Sequence, residues 1–126
     1  MNFKNFNKSL LANTKEEYLA LLSSEADWFV RSNDDLTALR ASNETSLSKI
    51  SDENFYEFLN SIEFKGGGLG HAVYSSLMRE LTLTEIQMVF SYFGIGPIVL
   101  LDYQDRYCQS NGSCVSRNFA ICTSSC

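Results

Sequence analysis

CQSNGSCVSRNFAICTSSC, residues Cys108–Cys126, closes the chain and holds all four of its cysteines. How this stretch is held decides the fold. Its main apolar groups are Val115, Phe119, Ala120 and Ile121. Those are too few to build a core from nineteen residues. The segment must therefore be cross-linked, metal-bound or docked on the rest of the chain, or else stay disordered.

The sulfur spacing narrows these choices. The gaps between cysteines are five, seven and three residues. Structural zinc sites usually present two sulfurs from one tight Cys-x-x-Cys knuckle, and no such pair occurs here. Neither a metal nor a cofactor is expected. Four cysteines allow three disulfide connectivities. Asn111-Gly112 is a strong turn signal and makes a Cys108–Cys114 loop easy. Cys122 and Cys126 can also close a small loop, and a crossed pairing would tie the segment more tightly. The expectation is two intramolecular disulfides among Cys108, Cys114, Cys122 and Cys126. A sharper chemistry is thioether cross-linking, in which a dehydrated Ser or Thr accepts a cysteine thiolate. Ser110, Ser113, Ser116, Thr123, Ser124 and Ser125 stand close enough in sequence for it. The plainer reading, that they fill exposed loops, is preferred.

Outward from this segment the chain reads as short helices. Thr14-Lys-Glu-Glu17 is a capping-box pattern ahead of Tyr18, Leu21 and Leu22. Ser24-Glu-Ala-Asp27 has the same shape and predicts a helix through Trp28 and Phe29. Asn33, Asp34 and Asp35 open a segment with Leu36 and Leu39, where acids suit the positive end of a helix. Polar residues 41–49 read as a loop. Phe55, Phe58, Leu59 and Ile62 fall at i, i+3, i+4 and i+7. Val73, Leu77, Met78 and Leu81 mark a further helix. Thr82-Leu-Thr-Glu85 caps one more, with Ile86, Val89, Phe90 and Phe93 as its apolar face. Pro97 suits the first position of a last helix. Ile98-Val-Leu-Leu101 also fits a buried strand, but Leu100, Tyr103 and Tyr107 at helical spacing, with no second strand evident, favour a helix to residue 107.

The fold class expected is therefore all-α. An irregular bundle of about five or six short helices carries a Cys-rich, disulfide-braced C-terminal tail. The division is a helical body, residues 1–107, and a Cys-rich segment, residues 108–126. Because the clearest helices end before residue 94, a chain ending at Tyr103 is expected to keep its helical content. Tyr103, Tyr107 and Phe119 are the expected anchors of the tail.

Gly66, Gly67, Gly68 and Gly70 break the pattern between two predicted helices. A glycine loop before a helix can cradle phosphate, but this one follows no strand and lacks the Lys-Ser/Thr of a P-loop. It can also be a double-glycine site where a protease-transporter trims a leader. Its default reading is an interhelical linker or hinge.

The formal net charge is −5. Residues 1–65 carry seven Lys/Arg against eleven Asp/Glu. An acidic body argues against nucleic acid, whose backbone needs clustered Lys and Arg. No apolar run is long enough to span a bilayer, and the first eighteen residues show no apolar stretch of signal-peptide length. The even cysteine count favours an oxidising compartment, so the placement expected is secreted or cell envelope. The lone histidine, His71, reads as a helix-start residue. It has no evident partner for a Ser-His-Asp or Cys-His site, so no enzyme activity is expected.

Tyr18-Leu-Ala-Leu-Leu-Ser-Ser-Glu25, followed by Trp28, resembles the tyrosine, leucine, Ser-x-Glu, tryptophan opening of bacteriocin fulvocin C-related proteins. The ending, with Cys114 and Cys-Thr-Ser-Ser-Cys126, is similar in layout. The resemblance implies a bacteriocin-like antimicrobial protein, exported and processed, with no catalytic motif. The functional expectation is a Cys-rich peptide precursor or mature protein whose body carries the cross-linked segment. The alternative is a small exported protein-binding or structural domain with stabilising disulfides. Partners expected are a protein, the processing or export machinery, or a target-cell surface.

Overall fold

The computed structural model describes residues 2–126. It corrects the all-α expectation: the fold is mixed α/β, with six α-helices and a four-stranded antiparallel sheet among the described residues. The helices are α1 (Lys15–Ser23), α2 (Asn33–Ala41), α3 (Asp52–Ser61), α4 (Ser75–Met78), α5 (Leu83–Ser91) and α6 (Pro97–Tyr103). The strands are β1 (Glu63–Lys65), β2 (Gly68–Val73), β3 (Gln104–Ser110) and β4 (Ser113–Cys122). Their order across the sheet is β1-β2-β4-β3.

Local chemistry explains the helices. The side chains of Thr14, Ser32, Ser51 and Thr82 each accept a backbone N–H three residues on, satisfying donors that a helix start leaves open. Thr82 and Glu85 cap each other reciprocally at α5. Phe55, Phe58, Ile86, Val89, Phe90 and Phe93 are buried together, with Leu59 partly buried against them. The Phe58 and Phe90 rings meet edge-on at 6.2 Å. The helix expected after Ser24 does not form. Trp28, Phe29 and Val30 instead run through the core in irregular backbone, all three buried, and the Val30 N–H donates to the Tyr92 carbonyl at 2.7 Å. Three consecutive buried residues do not suit a helix lying on a surface, which buries one stripe.

Two segments, one read as an interhelical linker and one as the end of the last helix, are strands, and each has a physical reason. Gly66 and Gly67 form the β1–β2 turn with φ of +67° and +98°, which favours glycine. Gly68 and Gly70 then sit where neighbours press close. A Cβ on Gly68 would lie 2.8 Å from a Leu22 methyl, and one on Gly70 would lie 3.0 Å from the Glu63 carbonyl oxygen. Glycine inside a strand marks such close approach. The helical spacing of Val73 to Leu81 reduces to the single turn of α4.

At the other end, α6 stops at Tyr103. Asp105 has φ +57°, which no right-handed helix accommodates, and Gln104–Ser110 continues as β3. Asn111-Gly112, with Gly112 at φ +77°, turns a hairpin into β4. Strand β4 pairs on one side with β3, with Cys108 opposite Cys114. On the other it pairs with β2, through His71–Cys122, Ala72–Ile121 and Val73–Ala120. The division expected at residue 107/108 thus falls inside a strand. Ala120, Ile121 and Cys122 are buried, and the C-terminal segment supplies a central strand of the sheet.

Body and tail also meet at one carbonyl. The Tyr18 hydroxyl donates to the Leu69 carbonyl oxygen at 2.7 Å, and the Thr123 hydroxyl donates to the same oxygen at 2.6 Å. Burial pushes the Tyr18 phenol far above its ordinary range.

Candidate functional sites: a four-cysteine knot and an apolar face

The structure holds one of the three connectivities. Cys108 bonds Cys126 and Cys114 bonds Cys122, one loop nested inside the other. Cys114 and Cys122 lie eight residues apart in one strand, yet their Cα atoms are 6.0 Å apart. An extended chain would separate them by roughly 26 Å, so β4 must fold back on itself. The corner lies near Phe119, at φ +63°. Asp105 holds it: its Oδ1 accepts the Phe119 N–H at 3.1 Å and the Tyr74 hydroxyl at 3.4 Å. Burial, and then the Asp105 charge, push the Tyr74 phenol up to about 12.

The sulfur atoms of Cys108, Cys122 and Cys126 all lie within 4.8 Å of one another, so the two disulfides sit side by side. A cleft of about 390 Å³ opens onto Cys114 and Cys122, with Lys15, Asp102, Tyr103 and Arg106 on its walls. The nearby hydroxyls have structural partners. Ser124 pairs with the Tyr103 hydroxyl at 2.6 Å, Thr123 donates to Leu69, and Ser125 donates to the Lys65 carbonyl. Of the expected anchors, Tyr103 is buried, Tyr107 lies on β3 with its ring 5.7 Å from His71, and Phe119 packs edge-on against Tyr74.

Gly66, Gly67, Gly68 and Gly70 form a hairpin turn and the strand after it, in place of the expected interhelical linker. The Arg31 guanidinium fixes this turn. It donates to the Gly67 carbonyl at 2.7 Å and to the carbonyls of Leu22, Ser24 and Ala26 at the end of α1 and beyond. Its face lies 4.1 Å from the Phe29 ring centroid. His71 is a mid-strand residue of β2, not a helix start, and its Nε2 lies 3.0 Å from Glu63 Oε2.

A second feature escaped the sequence reading. Leu83, Ile98 and Leu101 are 63%, 63% and 66% exposed. Leu83 and Leu101 rim a small cleft of about 150 Å³ floored by Ile86, Phe90 and Leu100. Ile98 stands one helical turn before Leu101 on α6. Beside it a second cleft, about 240 Å³, is walled by Leu11, Thr84, Gln87, Met88 and Pro97, with Lys8 as its single charged residue. The run Ile98-Val-Leu-Leu101 looked uniformly apolar. Its signal was periodicity: Val99, Leu100 and Tyr103 face inward, which leaves Ile98 and Leu101 outside.

Among the described residues no helix is long and apolar enough to cross a membrane. No protein-family model, curated protein or solved structure matches the chain.

Proposed function

We propose that this chain is an exported, disulfide-braced binding domain that acts uncut, and that it docks a protein partner through the apolar face of α5 and α6. The observation that carries this reading is that Leu83 and Leu101 rim an open cleft, with Ile98 exposed one turn before Leu101, and that these three are the most exposed large apolar side chains among the described residues. Contiguous exposed apolar surface marks interaction sites. The bacteriocin-like reading rests on the resemblance at Tyr18–Glu25, Trp28 and the C-terminal cysteines. It is kept in its mature form, with the partner a protein on a target-cell surface. The precursor form has less support. Release of residues 108–126 would remove β4 and the last three residues of β3 from a four-stranded sheet, and a cut at Gly66–Gly68 would open the β1–β2 turn.

The test compares three samples for binding to, and growth inhibition of, bacteria related to the natural host. They are the oxidised full chain, the oxidised peptide 108–126, and a full-length Leu83→Glu/Leu101→Glu variant. The full chain is expected to act, the peptide to be inactive, and the variant to bind at least about tenfold more weakly, as loss of a buried interface anchor does. An active peptide, or a variant as potent as the parent chain, overturns the proposal.

A further inference from the structure

The four sulfurs are arranged for more than a covalent brace. We propose that the reduced cluster binds one Zn²⁺ per chain through Cys108, Cys114, Cys122 and Cys126. A tetrahedral zinc ion about 2.3 Å from each of four thiolates holds the sulfurs roughly 3.8 Å apart. Three of them already lie within 4.8 Å of one another. The fourth, Cys114, is bonded to Cys122 and stands opposite Cys108 in the hairpin.

Backbone pairing, and not the sulfur bonds alone, brings these positions together. Cys108 and Cys114 are paired across the β3–β4 ladder, and Cys122 is paired with His71 of β2. The Cys126 N–H donates to the Thr123 carbonyl at 3.2 Å, and the Cys126 carbonyl accepts the Gly112 N–H at 3.0 Å. The electrostatics also fit. Zinc with four thiolates carries a net charge of about −2 by formal count. Lys15 and Arg106, against the one acid Asp102, line the cleft at Cys114 and Cys122, and Lys65 Nζ lies 3.3 Å from the Cys126 carbonyl oxygen. Cations beside cysteine favour the thiolate that binds metal. The same cleft gives reductant and ion a way in, which a bound metal requires.

Spacing rules miss this site because they look for two sulfurs on one knuckle. Here the strand register delivers one pair across a ladder, and the turn at Thr123–Ser125 delivers the other. In the chemistry, each disulfide takes two electrons and two protons, giving two thiols. A phosphine supplies the electrons and is oxidised to its oxide with one water. Zn²⁺ then displaces four protons and forms four Zn–S bonds. The sheet is thereby braced in either redox state.

The experiment uses the full chain, reduced with a phosphine under inert gas and titrated with Co²⁺ as an optical probe and then with Zn²⁺. One Co²⁺ per chain is expected, with the charge-transfer and d–d absorption of a tetrahedral four-thiolate site, bleached by Zn²⁺. His71→Asn should leave the spectrum unchanged. Cys114→Ser should weaken Co²⁺ binding by more than about 100-fold, since even outer partners of a ligand cost about 10- to 100-fold when removed. Amide exchange should show residues 108–126 loosened in the reduced, metal-free chain and protected again with Zn²⁺. Failure to bind, one Co²⁺ per two chains, a spectrum that changes in His71→Asn, or a Cys114→Ser variant that binds as well as the parent overturns the proposal.

Discussion

Phe58 and Glu57 are neighbours with opposite energetics. Phe58 is fully buried and meets Phe90 edge-on, so Phe58→Ala should cost about 3–5 kcal/mol of unfolding free energy. Glu57 pairs with Arg79 at 2.8 Å, but both side chains are about half exposed. Glu57→Ala should change stability by less than about 1 kcal/mol. Urea denaturation of the two variants checks both values, and equal small effects would mean that the phenylalanine face is not core. Glu85 carries a pH effect. A hydrogen bond from the Ser46 hydroxyl, then the Thr82 N–H, holds its carboxyl down at about 2, against an ordinary value of 4.5. A carboxyl depressed on folding stabilises the native state above its unfolded value, and the gain is lost as pH falls through its folded value. The contribution of Glu85 should therefore fade between about pH 4.5 and 2. Carboxyl NMR titration should show Ser46→Ala moving the Glu85 midpoint upward, and an unmoved midpoint would contradict this cause. The caps at Thr14 and Thr82 were legible, because each acts on a residue three away. Arg31 was not legible, because its acceptor Gly67 lies in a distant turn.

At the scale of elements, what could be read depended on how far apart the interacting residues lie. Helices α1, α2, α3 and α5 follow from caps and apolar spacing within one stretch. The sheet depends on His71 meeting Cys122 and Ala72 meeting Ile121, pairings that no local period encodes. Strand β2 carries its glycines for close packing, which removes the alternation a strand normally shows. Strand β4 bends at Phe119, and so it too lacks a regular pattern. The Asn111-Gly112 hairpin signal was present but was read as a loop-closing turn, because no partner strand was suspected. The independence expected of a chain ending at Tyr103 now changes. Such a chain lacks β3, β4, the buried Ala120 and Ile121, and the Thr123 hydrogen bond to Leu69. It should be destabilised by more than about 3 kcal/mol, given that emptying one large buried aliphatic site costs about 2–5 kcal/mol. Thermal melting by circular dichroism reads this directly. A truncated chain that melts at the same temperature as the full one would mean that the sheet adds nothing to the body.

For the whole molecule, the C-terminal segment is a structural member of the sheet. Its strand β4 lies between β2 and β3, and its cysteines cross-link a bent strand. With that segment built in, the acidic surface and the apolar face of α5 and α6 belong to one unit, which is why the functional proposal treats the chain uncut. Composition revealed the acidity, and the cysteine count revealed the bracing chemistry. The apolar face was hidden because Ile98 and Leu101 look like core until the sheet fixes which side of α6 points inward. The most direct test is mass spectrometry of the protein isolated from its natural source without reductant, intact and then digested for disulfide mapping. The intact chain should run through to Cys126 with the mass deficit of two disulfides and no loss of water, and its linked peptides should join Cys108 to Cys126 and Cys114 to Cys122. Linked peptides joining Cys108 to Cys114 and Cys122 to Cys126, or a fragment beginning near Gly68 or Tyr107, would contradict the account.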